Sequence, residues 1–149
     1  KKPQARLIIV GEGPDEEKLK QQIKEKGLEK NMEYLGVIFD DKIKFSKLAE
    51  SQLFILPSYE ENWAIVIGEA QAAGTPVICY QLKELVNVWK DSVIFIPVGD
   101  KIKMANKIVE LLDKPKQVDE ISKKALEFVK QYEWQTIAQK ELQIILKNS

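Results

Sequence analysis

Two carboxylates eight positions apart, Glu61 and Glu69, are the residues of this chain best suited by type and spacing to do chemistry. Between them, Asn62-Trp63-Ala64-Ile65-Val66-Ile67-Gly68 passes from a polar turn into apolar residues that read as a helix starting near Ala64 or Ile65. On that reading Glu61 lies in the loop before the helix and Glu69 about one turn inside it. The amides of Asn62, Trp63, Ala64 and Ile65 then lack intrahelical acceptors and, with the positive end of the helix dipole, offer a place for an anion such as a diphosphate. A carboxylate beside it accepts hydrogen bonds from sugar hydroxyls, each charge-assisted bond contributing about 1.5 to 3 kcal/mol. Phosphates on the amides and hydroxyls on the carboxylates together describe a nucleotide-sugar pocket. Glu61 reads equally as a solvated loop residue. Glu69 is the one charged residue from Asn62 through Tyr80, and a carboxylate on so apolar a helix needs hydrogen-bonding partners if it is buried.

The elements that must aim this loop are legible on either side of it. Leu53 to Leu56 reads as a strand that breaks at Pro57; Gly74 ends the helix and Pro76 opens the next strand, which runs to Tyr80. Strand, loop, helix, strand is a unit that points its loop at the carboxyl edge of a parallel sheet, where α/β proteins hold ligands. Further strands are expected at Ala5 to Gly11, buried on both faces, at Met32 to Leu35 and at Val93 to Pro97. Helices are expected from an Asp15 cap to about Lys26 and from Asp40 or Asp41 to about Ser51 burying Ile43, Leu48 and Ala49, and Leu82 to Trp89 reads as a short helix or an irregular turn. Another follows Gly99-Asp100, with Ile102, Ala105, Ile108, Leu111 and Leu112 on one face and a stop near Pro115. Two more span Val118 to Gln131 and Trp134 to Leu146. Strands alternating with helices give βαβ units, an α/β class and a doubly wound parallel sheet between two helical layers. Gly11-Glu12-Gly13-Pro14 ends the first strand at the same carboxyl edge. It permits close backbone approach to a ligand, and reads equally as a plain tight turn.

Composition narrows the chemistry. The 149 residues, 44% hydrophobic, suit one domain over 1–149 with a real core. Lys+Arg and Asp+Glu both number 23, so no field favours a nucleic-acid partner. No apolar run is long enough to span a bilayer and Lys-Lys-Pro-Gln-Ala-Arg lacks the core of a secretory signal, which points to a cytoplasmic chain. The absence of histidine removes imidazole as base, triad member or metal ligand, and the lone Cys79 reads as a small buried hydrophobe. What chemistry there is rests on carboxylates, lysines, backbone amides and helix ends.

These residues resemble the donor-binding, C-terminal half of family 4 glycosyltransferases (glycosyl transferases group 1), retaining enzymes of the GT-B fold. The likeness is carried by Leu7-Ile8-Ile9-Val10-Gly11-Glu12-Gly13-Pro14, by Tyr34-Leu35-Gly36, by Leu53 to Ser58 followed by the E-x7-E pair Glu61 and Glu69, and by Glu69-Ala70-Gln71-Ala72-Ala73-Gly74-Thr75-Pro76-Val77-Ile78. Gly99-Asp100 and Tyr132-Glu133-Trp134 extend it. The resemblance implies a Rossmann-like domain that binds a nucleotide-diphosphate sugar, with Glu61 at the transferred sugar and Glu69 at the ribose. The backbone of Asn62, Trp63, Ala64, Ile65 and Val66 would hold the phosphates, Val37 and Ile38 would line the base, and Gly11 and Gly13 would form the glycine turn of the donor site. It implies retaining sugar transfer with no cofactor and no obligatory metal, and the sequence contains no Asp-x-Asp. A non-catalytic interaction module on this scaffold and a GT-B sugar-nucleotide epimerase are the alternatives.

The departures from the family are specific. Asn62-Trp63-Ala64 stands where Gly-Phe-Gly is common, and Gln81-Leu82-Lys83 precedes Glu84 where a glycine pair is common. The family's Arg and Lys for the leaving diphosphate, and its N-terminal acceptor domain, would precede Lys1. The expectation is therefore a fragment of a two-domain enzyme, inactive or nearly so alone, with membrane contact only through the rest of the enzyme. The helix over 134–147 is expected either to dock on the missing domain or to pack on this one. Trp63 and Trp89 read as cleft residues or, as aromatics more often are, as structural ones.

Overall fold

The computed structural model describes residues 2–147, so both ends of the expected 1–149 domain lie outside the described residues. The chain divides into two compact units, 1–44 and 45–149. In the first, β1 (Leu7–Val10) pairs in parallel with β2 (Met32–Gly36), joined by helix α1 (Glu16–Glu25). In the second, β3 (Phe54–Leu56), β4 (Val77–Tyr80) and β5 (Ile94–Ile96) form a parallel sheet in that order. Helix α2 (Asp41–Ala49) runs across the boundary between the units; α3 (Ile65–Ala72), α4 (Lys83–Trp89), α5 (Lys101–Leu112), α6 (Pro115–Val129) and α7 (Trp134–Lys147) lie in the second. Among the described residues no helix is long and apolar enough to cross a membrane.

The second unit is organised on β4, every residue of which is buried. Side chains alternate faces along a strand. Val77 and Cys79 accordingly join Ala64, Ile67 and Ala70 of the α3 segment and Leu85 and Trp89 of α4 in one core. Ile78 and Tyr80 join Ile96, Met104, Leu111 and Val118 in the other. Helices on both faces of a parallel sheet are the doubly wound arrangement expected, and full burial of each large aliphatic chain contributes about 1.5 to 3 kcal/mol.

Several expected faces differ. The α5 face is Met104, Ile108 and Leu111, spaced i, i+4, i+7, while Ile102 is 76% exposed and Ala105 is also outside. In α2, Ile43 and Ala49 are exposed and only Leu48 packs on a core. Phe45 and Leu48 are three apart and share a face, but Ile43, two before the one and five before the other, lies off it. In β1, Leu7 and Val10 are exposed rather than buried on both faces. Pro115 opens α6 instead of merely ending α5, using the first helical turn where its missing N–H is no loss. In α6, Phe128 packs on a core while Leu126 is 40% exposed.

Candidate functional site

Because β3, β4 and β5 are parallel, the loops that leave their carboxyl ends emerge on one edge of the second unit. They meet there. The Tyr59 ring, in the loop after β3, lies 5.4 Å from that of Tyr80 at the end of β4. Its Cε1 is 3.7 Å from where a Cβ on Gly99 would stand, in the turn after β5. Gly99 has φ 77°, which a side chain rarely adopts, so glycine serves both conformation and clearance there. Asp100 then caps α5 by accepting from the Lys103 amide at 2.8 Å. Burial, then the neighbouring Tyr59 and Asp100, push the Tyr80 phenol above its ordinary range, so it stays neutral.

Helix α3 starts at Ile65, as its apolar onset suggests, but by an unexpected device. Ala64 holds φ 53° and ψ 67°, the left-handed conformation that costs an L residue about 1 to 2 kcal/mol. It is a buried residue, and its carbonyl accepts the Ile67 amide at 2.9 Å. The Ile65 and Val66 amides, in the first turn, have no intrahelical acceptor by construction. Glu61 is half-buried in the loop just before this turn. Glu69, the fifth residue of α3, is half-buried and engaged within the fold. The side chains of Asn62, Ile65 and Val66 are exposed, and Trp63 is 36% exposed.

The far end of α3 is fixed equally firmly. With Gly74 at φ 80°, the Gly74 amide donates to Gln71 and the Thr75 amide to Ala70, the paired bonds of a Schellman turn. Ser122 Oγ donates to the Gly74 carbonyl at 2.5 Å and Thr75 Oγ1 to that of Leu48 at 2.6 Å. The whole Glu69-to-Pro76 stretch thus has structural work of its own. Cys79 is fully buried, and burial pushes its thiol up to about 12, as suits a packing residue.

Trp89, wholly buried, is a structural residue rather than a cleft one; its indole N–H donates to the Trp63 carbonyl at 2.9 Å. Trp63 packs 4.7 Å from Trp89 and edge-on, 5.0 Å, to Tyr132. The two are therefore tied to each other, a link that no local sequence signal announces.

In the 1–44 unit, Gly11 has φ 128° and donates its amide to the Gly36 carbonyl at 2.8 Å. The Tyr34 hydroxyl donates to the Gly11 carbonyl at 2.6 Å. Glu16 is held below the usual carboxylate range by its bond to Lys20, then by Tyr34, and Lys20 also sits 5.5 Å over the Tyr34 ring. Asp15 precedes α1 as expected, but its side chain makes no capping bond. A cavity of about 490 Å³ lies against this turn, lined by Gly11, Glu12, Gly13, Glu16 and Tyr34 among others. A Cβ at Gly13 would meet nothing within 4 Å, and Gly13 has no positive φ, so the fold itself makes no demand for glycine there. Val37 is 38% exposed and Ile38 half-buried, both just after β2.

Comparison with known proteins gives the family. The family model described as glycosyl transferases group 1 matches residues 1–128. The phosphatidyl-myo-inositol mannosyltransferase of Mycobacterium leprae (strain TN) is 31% identical over 141 residues, 93% of this chain and 37% of the relative. The mannosyltransferase of the same name from Mycolicibacterium smegmatis is 30% identical over 91% of this chain and 35% of its own length. This chain thus spans little more than a third of those relatives. Among solved structures, sucrose-phosphate synthase from Thermosynechococcus elongatus superposes with a TM-score of 0.83 at 25% identity, over 97% of this chain and 39% of that one. Anabaena Alr3699/HepE in complex with UDP-glucose superposes with a TM-score of 0.76 at 26% identity, over 87% of this chain and 37% of that one.

Proposed function

The chain belongs to the glycosyl transferases group 1, and on that premise we propose that it is the donor-binding part of a retaining glycosyltransferase of the GT-B fold. The observation that carries the reading is the mouth of α3 at a carboxyl edge, where the first-turn amides lie in sequence between the half-buried Glu61 and Glu69. The Anabaena neighbour in complex with UDP-glucose supports a nucleotide-diphosphate sugar as ligand. The relatives are transferases, so neither the epimerase nor the non-catalytic module gains support.

In this reading the donor's diphosphate lies on the amides from Asn62 to Val66. As the sugar leaves, negative charge grows on the phosphate and positive charge on the anomeric carbon. Preorganised amides stabilise the first and the Glu61 carboxylate the second. Glu69 accepts from ribose hydroxyls. For the 1–44 unit we assign donor contacts to Gly11 and Gly13, whose neighbouring cavity supports the assignment, and contact with the base to Val37 and Ile38. Transfer is proposed to need no obligatory metal, to be checked by activity in the presence of EDTA. The acceptor-binding domain is supplied by the rest of the enzyme, and the exposed Leu142, Ile144, Ile145 and Leu146 of α7 are proposed to dock on it. A charged nucleotide sugar does not cross bilayers, which favours the cytoplasm as the place of action.

The test is calorimetric titration of this chain with UDP, GDP and ADP and their sugar conjugates, beside Glu69→Gln. Binding of one base series, weakened about tenfold or more by the loss of a charged hydrogen-bond acceptor, is expected. No binding of any of them would remove the donor-site reading.

A further inference from the structure

The geometry points to Trp89 as a positioning residue. Its indole N–H, with the packed rings of Trp63 and Tyr132, holds the non-glycine residue Ala64 in the left-handed conformation that presents the α3 amides to a diphosphate. The inference rests on the donor-binding reading above.

The Trp63 carbonyl that Trp89 binds belongs to the peptide whose nitrogen is that of Ala64. Fixing that carbonyl fixes the plane of the Trp63–Ala64 peptide, because the six atoms of a peptide move as one. Ala64 then cannot relax to a negative φ by turning this peptide without breaking the bond from a wholly buried indole, and a buried donor left without an acceptor is costly. The rings oppose the same rotation. Trp63 is held between Trp89 at 4.7 Å, tilted by 59°, and Tyr132 at 5.0 Å, edge-on at 86°.

Two further features seat the indole. Gly68, one turn along α3 from Ala64, leaves 3.1 Å between Trp89 Cη2 and the position a Cβ would take, so a side chain there would obstruct the ring. Ser92 Oγ donates to the Trp89 carbonyl at 2.6 Å and accepts from Gln71 Nε2 at 2.8 Å, which ties the backbone of Trp89 to the last turn of α3. Gln71 Nε2 also donates to the Ser92 carbonyl, so the amide must face this way, and its Oε1 is left buried without a donor among the described residues. The arrangement is kept despite that cost, and both the start and the last turn of α3 are thereby fastened to one segment, 89–92.

Wild type, Trp89→Phe, Ala64→Gly and the double variant decide the matter. Two readouts apply: hydrogen exchange at the Ile67 amide of the unliganded chain, which donates to the Ala64 carbonyl, and titration with UDP, GDP and ADP. With Ala64 present, Trp89→Phe is expected to speed Ile67 exchange relative to the slowest amides of the same chain and to weaken diphosphate binding about fivefold, the loss of one hydrogen bond. In the Ala64→Gly background the same substitution is expected to change both by less than about twofold, because glycine takes the left-handed conformation unaided. A Trp89 that only supports the core would lower global stability alike in both backgrounds and leave the two local readouts unmoved; that result overturns the inference. If Ile67 exchange shows the background dependence and no diphosphate binds any of the chains, the hold on Ala64 stands and the donor-binding reading falls. Tyr132→Leu, which removes the edge-on ring and keeps the indole bond, supplies the same cycle should Trp89→Phe not fold.

Discussion

Replacing Gly68 by alanine should destabilise this protein, although the same change inside an ordinary helix stabilises it. Glycine in a helix interior is worse than alanine by roughly 0.5 to 1 kcal/mol, mainly through the entropy of the unfolded chain. Against that gain stands the indole of Trp89. A Cβ on residue 68 would lie 3.1 Å from Trp89 Cη2, inside the roughly 3.5 to 4.0 Å at which carbon atoms attract. The far end of a flexible chain would move aside, but this ring is wholly buried, bonded to the Trp63 carbonyl, and packed on Trp63, Phe128 and Tyr132. Overpacking of a core site of this kind costs about 1 to 3 kcal/mol. The net expectation is a loss of about 0.5 to 2 kcal/mol, or a fall of a few degrees in midpoint at about 2 to 4 °C per kcal/mol for a chain of this size. Urea titration followed by circular dichroism and by tryptophan fluorescence measures it directly, with coincidence of the two curves as the check on two-state behaviour. A Gly68→Ala chain as stable as wild type or more so would mean that the indole swings clear, and the packing account would be wrong.

The two glycines of the first turn should separate structure from ligand binding. Gly11→Ala forces an L residue to φ 128° and is expected to destabilise by about 1 to 3 kcal/mol, whereas Gly13→Ala should leave the melting temperature unchanged and weaken nucleotide binding in calorimetry. Ser122→Ala removes the 2.5 Å bond to the Gly74 carbonyl and is expected to cost about 1 kcal/mol in urea unfolding. The thiol of Cys79, pushed up to about 12 by burial, should resist alkylation at pH 8 in the native chain and react on unfolding; rapid native labelling would contradict its burial. Glu16 is lowered below 4.5 by Lys20 first and Tyr34 next, so its stabilising contribution is present above about pH 4.5 and is lost as the pH falls through the lowered value. Acid unfolding of Glu16→Gln should be less steep through that window than that of wild type.

What was legible in the sequence were the features whose causes are local. Gly74 before Thr75-Pro76 announced a left-handed helix end, and the turn there is built on that glycine. The apolar run Val77 to Tyr80 announced a strand, but burial on both faces, expected of the first strand, belongs to this one, whose residues the two cores divide between them. The faces of α2 and α5 were legible only in part, with Leu48, Ile108 and Leu111 on the cores as expected, because several other apolar residues in each offered more than one stripe and only packing chooses between them. Met104, passed over in favour of Ile102 and Ala105, is buried since it shares a stripe with Ile108 and Leu111. The tie between Trp63 and Trp89 spans 26 residues and leaves no periodic trace.

Ala64 shows why these two kinds of information meet at the candidate site. Its side chain is small and gives no sign of a left-handed backbone, yet that conformation is what stops α3 from extending back through Trp63 and Asn62. A helix begun at Asn62 instead of Ile65 would carry its free amides about 4.5 Å farther along the axis, at 1.5 Å per residue, and Glu69 would lie two turns inside rather than one. The distance between carboxylate and amides, which decides whether one ligand can reach both, is therefore set at residue 64. Glu61 and Glu69 can be read from the sequence as a pair, but the register that makes them a pair is imposed by a strained peptide and the indole bonded to it.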